Sequence, residues 1–261
     1  MNLSPWLYAV IALAIGSTLA MDLAGLSMLS AFTLLALIGL HWLVTRHSWR
    51  DWGMRWGRPA DYGLALAYPL FVMGILAVLL ILSGADLSDS NWRDAATGFL
   101  TIGLATIPGA YITEEGFFRG SLFAGCKRDG LTLGRTVVLT SVVFSAWHIG
   151  WATVSEEGRV SLHILPVYLV NAALLGAAWG LLRALSGSVL VASVSHGIWN
   201  GMAYSLFGFG SDGGVIGMES PLWLDPERGL VAIALNSLFV AYLWRRLPKD
   251  DRGQTVASDS P

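Results

Sequence analysis

The sequence predicts an all-α fold, a polytopic membrane helical bundle of about eight transmembrane helices with both termini cytoplasmic. Three observations lead there. Only 13% of the 261 residues are charged and 54% are hydrophobic, with a mean hydropathy of +0.60. A soluble domain carries about 25% charged residues, because its surface faces water. The apolar residues are also gathered into long runs near the roughly 20 residues that a helix needs to cross a bilayer. Finally, the basic residues alternate between the ends of those runs in the manner of a multi-pass protein.

The runs cover about 6–21, 24–44, 62–83, 95–125, 136–152, 163–182, 189–207 and 229–244. The first contains no Lys or Arg and none follows before Arg46, so it reads as a membrane helix and not as a cleavable leader. Little more than Met21–Ala24 joins it to the second, which predicts a tight helical hairpin. The fourth is too long for one straight crossing, and Pro108-Gly109 within it predicts a kink or break there, since proline removes a helical hydrogen bond. Residues 1–249 read as one transmembrane domain and 250–261 as a disordered polar tail. With the N-terminus inside, twelve of the 16 Lys and Arg residues fall in cytoplasmic segments. Only Arg93, Arg159 and Arg228 fall outside, and Arg119 stays within the membrane. Trp49, Trp52 and Trp56 inside, and Trp92 and Trp151 outside, read as interfacial rings.

Composition excludes other classes. A net charge of −2 with no basic patch argues against nucleic acid as a partner. The single Cys126 forbids an intrachain disulfide and reads as a small buried residue. Zinc-helix, Walker and dinucleotide motifs are missing from the sequence.

Five ionisable residues remain at membrane depth: Glu114, Glu115, Arg119, His148 and His196. A charged side chain at a helix centre costs about 2.5–3.5 kcal/mol, so each calls for a partner or a task. Glu115 and Arg119 are four apart and share a helix face, which suits an ion pair. Glu114 is turned by about 100 degrees from Glu115 and is left to face a cavity as a general base. His148 follows Phe144 by four. His196 and Asn200 also lie at i, i+4, and pair an imidazole with a neutral amide donor able to hold an oxyanion. At about 1.5 Å per residue, Glu114 lies some 18 Å from Cys126, His148 some 20 Å from Arg135 and His196 about 13 Å from Gly187. The three helices thus set their polar groups in one layer, and the count predicts a shared hydrated cavity reached from the inner leaflet. Glu156-Glu157 reads as a solvated outer loop, His41 and His47 as interfacial, His163 as an outer-surface residue, and Asn171 and Asn236 as interhelical hydrogen-bonding groups.

The set Glu114-Glu115-x-x-x-Arg119, Phe144-x-x-x-His148 and His196-x-x-x-Asn200 resembles the three motifs of the CAAX protease and bacteriocin-processing family, which includes the prenyl endopeptidase Rce1 and the bacterial Abi proteins. The resemblance covers about 95–207. It implies an intramembrane endopeptidase that hydrolyses a peptide bond of a membrane-associated substrate, prenylated CAAX-type substrates being the family's namesake. It implies that Glu114 activates water with help from His148, that His196 and Asn200 hold the oxyanion, and that Glu115 and Arg119 are a structural pair. The family's name calls its members metalloproteases. Glu114, His148 and His196 could form a His₂Glu zinc set, yet the same residues suit a metal-free glutamate mechanism. The expected partners are the lipid bilayer and a peptide or protein substrate, and the expected location is a multi-pass protein of a prokaryotic plasma membrane. The competing expectations are a non-catalytic membrane partner such as an immunity protein, and a transporter, for which paired broken helices in an internal repeat are absent from the sequence.

Overall fold

The computed structural model describes residues 3–248, apart from 47, 86, 88–90, 156–157, 210–211 and 217–221. The expectations for His47, Glu156-Glu157 and the 250–261 tail fall outside the described residues. Eight helical segments follow in the order read from the sequence: α1 Pro5–Leu23, α2 Ser30–Thr45, α3 Pro59–Leu82, α4 Trp92–Arg128, α5 Leu133–Thr153, α6 Leu165–Ser186, α7 Val189–Met202 and α8 Leu230–Arg246. Five of these, α1, α3, α4, α5 and α6, are long and apolar enough to cross a membrane by length and composition. The other three are shorter. α2 has 16 residues, α8 has 17, and α7 has 14 that continue into a π turn at Ala203–Phe207. At about 1.5 Å per residue, 17 residues rise roughly 26 Å, close to the ~30 Å hydrocarbon core.

Helix ends follow local chemistry. Pro59 opens α3 and Pro166 lies in the first turn of α6, where a missing N–H costs nothing. Ser188 caps α7 by accepting from the Val191 N–H. Gly187, at φ +68°, makes the left-handed turn between α6 and α7 that a residue with a Cβ resists.

α7 is the centre of the bundle, packed on α4 and α3, while α6 lies between α5 and α8. Small residues let the backbones approach. A Cβ on Gly197 would come within 2.7 Å of the Gly103 carbonyl oxygen and 2.5 Å of Ile107, so α4 and α7 meet at glycine faces. Buried polar groups bridge further helices, as the sequence predicted for Asn171 and Asn236. Asn236 donates to Asn171 Oδ1 at 3.1 Å, and Tyr68 donates to Asn236 Oδ1 at 2.8 Å.

Two features depart from the sequence reading. α4 runs through Pro108 without a break and is interrupted instead at Thr113 (φ −114°, ψ −94°), followed by a π-helical stretch over Gly116–Leu122. The first half of α4 has almost no buried residues, so a proline there disturbs little packing, whereas every residue from Glu115 to Cys126 is buried in the bundle. The distortion falls where the helix leaves the exposed face and enters the core. The second departure is the α2–α3 connection, which folds back under the bundle. Trp52, expected at an interface, has no exposed surface. His41, also expected there, is buried between the rings of Trp6 and Trp52 and shares a hydrogen bond with Ser121.

Candidate active site

Each of the three sequence motifs sits beside an irregularity in its helix. Glu114 immediately follows the Thr113 distortion. His148 occupies the junction between Leu133–Trp147 and Ile149–Thr153, with ψ near 0°. His196 and Asn200 lie in the last turns of α7 before the π turn at Ala203–Phe207. Such breaks turn side chains off the regular helical stripe and recur at functional sites.

Glu115 holds the centre of the polar layer. Its Oε1 accepts from Arg119 Nη1 at 3.1 Å and from His196 Nδ1 at 3.0 Å, and neither Glu115 nor Arg119 has exposed surface. The Arg119–Glu115 pair read from the i, i+4 spacing is present. Its guanidinium lies over Phe144 at 4.3 Å from the ring centroid, with Phe118 and Trp179 also within 6 Å. Cation–π contacts of this kind contribute about 2 kcal/mol where water is excluded. The His196 contact was not legible from spacing, because it joins two helices. Trp179 stacks on the His196 ring at 4.0 Å with an interplanar angle of 14°. A carboxylate on one edge and an indole on the face leave that imidazole one orientation, with Nδ1–H donating to Glu115 and Nε2 turned away from it.

His148 is held similarly. Its Nδ1–H donates to the Phe144 carbonyl at 2.8 Å, and its ring meets Phe144 and Trp147 edge to face. Nε2 is the nitrogen left available, and in the neutral ring it is an acceptor. The Phe144-x-x-x-His148 spacing thus has a geometric purpose: residue i supplies the carbonyl that sets the tautomer of residue i+4.

Glu114, His148, His196 and Asn200 all line one cavity of about 270 Å³. One water needs about 15 Å³ by the same measure, so the space admits several waters or a stretch of substrate. Among the described residues, no protein group hydrogen-bonds the Glu114 carboxylate or the Asn200 amide. The cavity therefore faces a carboxylate, an amide and two imidazole edges. Its walls include Phe144, Trp147, Trp179 and Trp199, together with Tyr168, Tyr204 and Glu227.

Glu227, Tyr168 and Tyr204 were missed by the sequence reading. Glu227 lies in the connection before α8, and Tyr204 Oη donates to its Oε1 at 3.5 Å. The Asn171 side chain donates to the carbonyls of Glu227 and Gly229 and draws that connection onto α6. Burial, reinforced by the neighbouring Asp225, pushes the Glu227 carboxyl from its ordinary 4.5 up to about 7. A lone Glu in a polar connection has no periodicity to mark it, so only the fold reveals it.

The zinc set raised from the sequence does not assemble. Among the described residues, no three His, Cys, Asp or Glu side chains are grouped so as to hold a metal. The carboxylate that reaches His196 is Glu115, already committed to Arg119, and not Glu114. The metalloprotease reading has no support in this geometry. The cavity's lining residues come from α1, α2, α4, α5, α6 and α7, from the π turn after α7 and from the connections before α2 and α8.

Comparison with known families agrees with the geometry. No curated protein matches the chain. Residues 96–202, the stretch holding all three motifs, match the family model described as "Type II CAAX prenyl endopeptidase Rce1-like". At family level this indicates a protease with a peptide substrate, and with the apolar helices it indicates an integral membrane protein. Over residues 96–202 the chain is similar to the Rce1-like family of type II CAAX prenyl endopeptidases.

Proposed function

We propose that this chain is a glutamate-dependent intramembrane endopeptidase, with Glu114 as general base and Asn200 and His196 as the oxyanion site. The observation that carries the reading is the convergence on one cavity of four polar groups from three helices, two of them imidazoles whose other edge is pinned.

Water bound between Glu114 and His148 would donate one hydrogen to the Glu114 carboxylate and the other to His148 Nε2. As the oxygen attacks the scissile carbonyl carbon, Glu114 takes the proton and the carbonyl oxygen becomes an oxyanion. The Asn200 amide N–H and a doubly protonated His196 donate to that oxyanion. Glu115, accepting from His196 Nδ1, orients that imidazole, as a buried carboxylate does beside histidine in other hydrolases. Glu114 then returns its proton to the leaving amine as the C–N bond breaks. The two imidazoles are oriented by the protein before substrate arrives, and such preorganisation is the main source of electrostatic catalysis. The prenylated CAAX-type peptide of the family name is one candidate substrate.

The test is a cleavage assay with purified protein in lipid nanodiscs on a library of quenched fluorescent peptides. Glu114→Gln is expected to lower kcat/KM by about 10²–10⁴, the usual loss of a general base. Asn200→Ala is expected to lower kcat by about 10²–10³, the usual loss of one oxyanion donor. Equal turnover in wild type and both variants would end the proposal.

A further inference from the structure

We infer that the groove between the α2–α3 connection and the α6–α7 turn binds the phosphate headgroup of an anionic phospholipid. The inference concerns a site apart from the catalytic cavity and does not depend on the protease reading.

An open groove is lined by residues 55–58 of the α2–α3 connection and by residues 184–187 at the end of α6. It lies where helices end: α6 stops at Ser186, α7 starts at Val189 and α3 starts at Pro59. α6 has 22 residues and rises roughly 33 Å, enough to carry its last turn to the level of lipid headgroups.

Arg55 is set in place before any ligand arrives. The Ser188 hydroxyl donates to its carbonyl, and Arg55 Nε donates to the Gly187 carbonyl at 2.7 Å. The guanidinium sits so near the turn that a Cβ on Gly187 would stand 1.6 Å from Nη2. Gly187 is thus required by the arginine as well as by its own positive φ. Among the described residues, Arg55 has no carboxylate partner. Arg183, one turn before Gly187, is a second cation of this kind. Its side chain donates to the carbonyls of Arg119 at 3.2 Å and Asp51 at 3.0 Å, and it too lacks a carboxylate partner among the described residues. Arg58 differs, being neutralised by Asp61 at 2.8 Å. Two guanidiniums without a counterion beside one groove attract an anion, and the arginine fork matches the oxygens of a phosphate.

Trp56 points to lipid as the source of that anion. It lines the groove, and its side chain is left 80% exposed. A free phosphate gains nothing from a bare indole. At the membrane interface the same ring is favourable, and basic pockets at helix ends hold anionic headgroups there. Ala184 and Leu185 add apolar surface to the groove for the lipid's glycerol and upper acyl carbons.

The test titrates detergent-purified protein with phosphatidylglycerol or phosphatidylcholine and counts bound lipid by native mass spectrometry. Phosphatidylglycerol is expected to bind about ten-fold more tightly than phosphatidylcholine. Arg55→Gln and Trp56→Ala are each expected to weaken it about five-fold or more. The control is Arg50→Gln, at an exposed arginine of the same connection that does not line the groove, expected to change the affinity less than about two-fold. Trp56→Ala removes only an exposed ring, so it tests the site even where Arg55→Gln loosens the connection by losing the Gly187 bond. Equal weakening by Arg50→Gln and Arg55→Gln would reveal diffuse attraction to the basic end and overturn the inference, as would equal binding of the two lipids. Wild-type Tm is expected to rise with phosphatidylglycerol and to stay unchanged with millimolar inorganic phosphate. A rise with inorganic phosphate that Arg55→Gln abolishes would assign the groove to a soluble anion and defeat the lipid reading. No readout here requires cleavage, so the result stands whatever the peptide assay gives.

Discussion

Glu114 and Glu115 are adjacent carboxylates at the same depth, and the structure gives them separable tasks that a pair of amide substitutions can resolve. Glu115→Gln removes the only charge in contact with Arg119 among the described ion pairs, while leaving an arginine without exposed surface. Breaking one side of a buried pair costs about 3–5 kcal/mol, because the remaining charge is stranded. The substituted amide can keep one acceptor, yet Arg119 Nε and Nη2 already lack hydrogen-bond partners, so nothing nearby can compensate. For a chain of this size about 2–4 °C of Tm accompanies each kcal/mol, which for 3 kcal/mol gives roughly 6–12 °C. Glu114→Gln leaves the ion pair and the His196 contact in place, and its Tm is expected within about 2 °C of wild type. The assay is intrinsic tryptophan fluorescence during heating in detergent, supported by 12 tryptophans, with cleavage measured on the same samples. Both variants are expected to be inactive, Glu115→Gln unstable as well and Glu114→Gln stable. Equal destabilisation of both, or a Glu115→Gln protein melting with wild type, would refute the division of labour.

Further outcomes are expected from other parts of the molecule. Gly197→Ala would drive a methyl into Ile107 and the Gly103 carbonyl, separating α4 from α7. Overpacking of this kind costs about 1–3 kcal/mol, and cleavage should fall because these helices carry Glu114 and His196, both measurable in the melting and cleavage assays. Asn236→Ala removes the acceptor of Tyr68 and a donor to Asn171, leaving buried groups unpaired at about 1–3 kcal/mol, read as a lower Tm with cleavage per folded molecule unchanged. Glu227→Gln tests the raised carboxyl. Between 4.5 and about 7 the folded protein holds a proton there that the unfolded chain releases, so wild-type stability should fall as pH rises across that window. The Gln variant cannot titrate, and its Tm measured from pH 4.5 to 7 should lack that component of the decline.

The parts of the site legible in the sequence are those that one helix decides by itself. Glu115 and Arg119, Phe144 and His148, and His196 and Asn200 are each four apart, and a helix brings such residues to one face whatever surrounds it. Their common layer was legible too, because depth in a membrane is a count of residues from an interface. What depends on the rotation of one helix against another was not. The bond from His196 to Glu115 needs α7 turned towards α4, and no spacing within either helix encodes that. Trp52 and His41 looked interfacial because they flank basic residues, and only the fold shows the α2–α3 connection turning inward beneath the bundle. Glu227 had no pattern at all, being one acidic residue in a connection. Pro108 marked the wrong place: the helix continues past it and is interrupted five residues later, at Thr113, where the chain enters the core.

The π-helical stretch over Gly116–Leu122 lies between the site and the Lys127–Arg128 end of α4. A π segment holds one more residue than the α-helical ladder requires, so it works as a slip joint in an otherwise rigid rod. Removing one residue within it would let the ladder close up and leave the flanking segments aligned, whereas the same deletion in a regular helix would rotate everything beyond it by about 100 degrees. A one-residue deletion within Gly116–Leu122 is thus the change in this buried stretch that α4 should tolerate best, because it would leave the carboxylates and the Lys127–Arg128 end in their present rotational register.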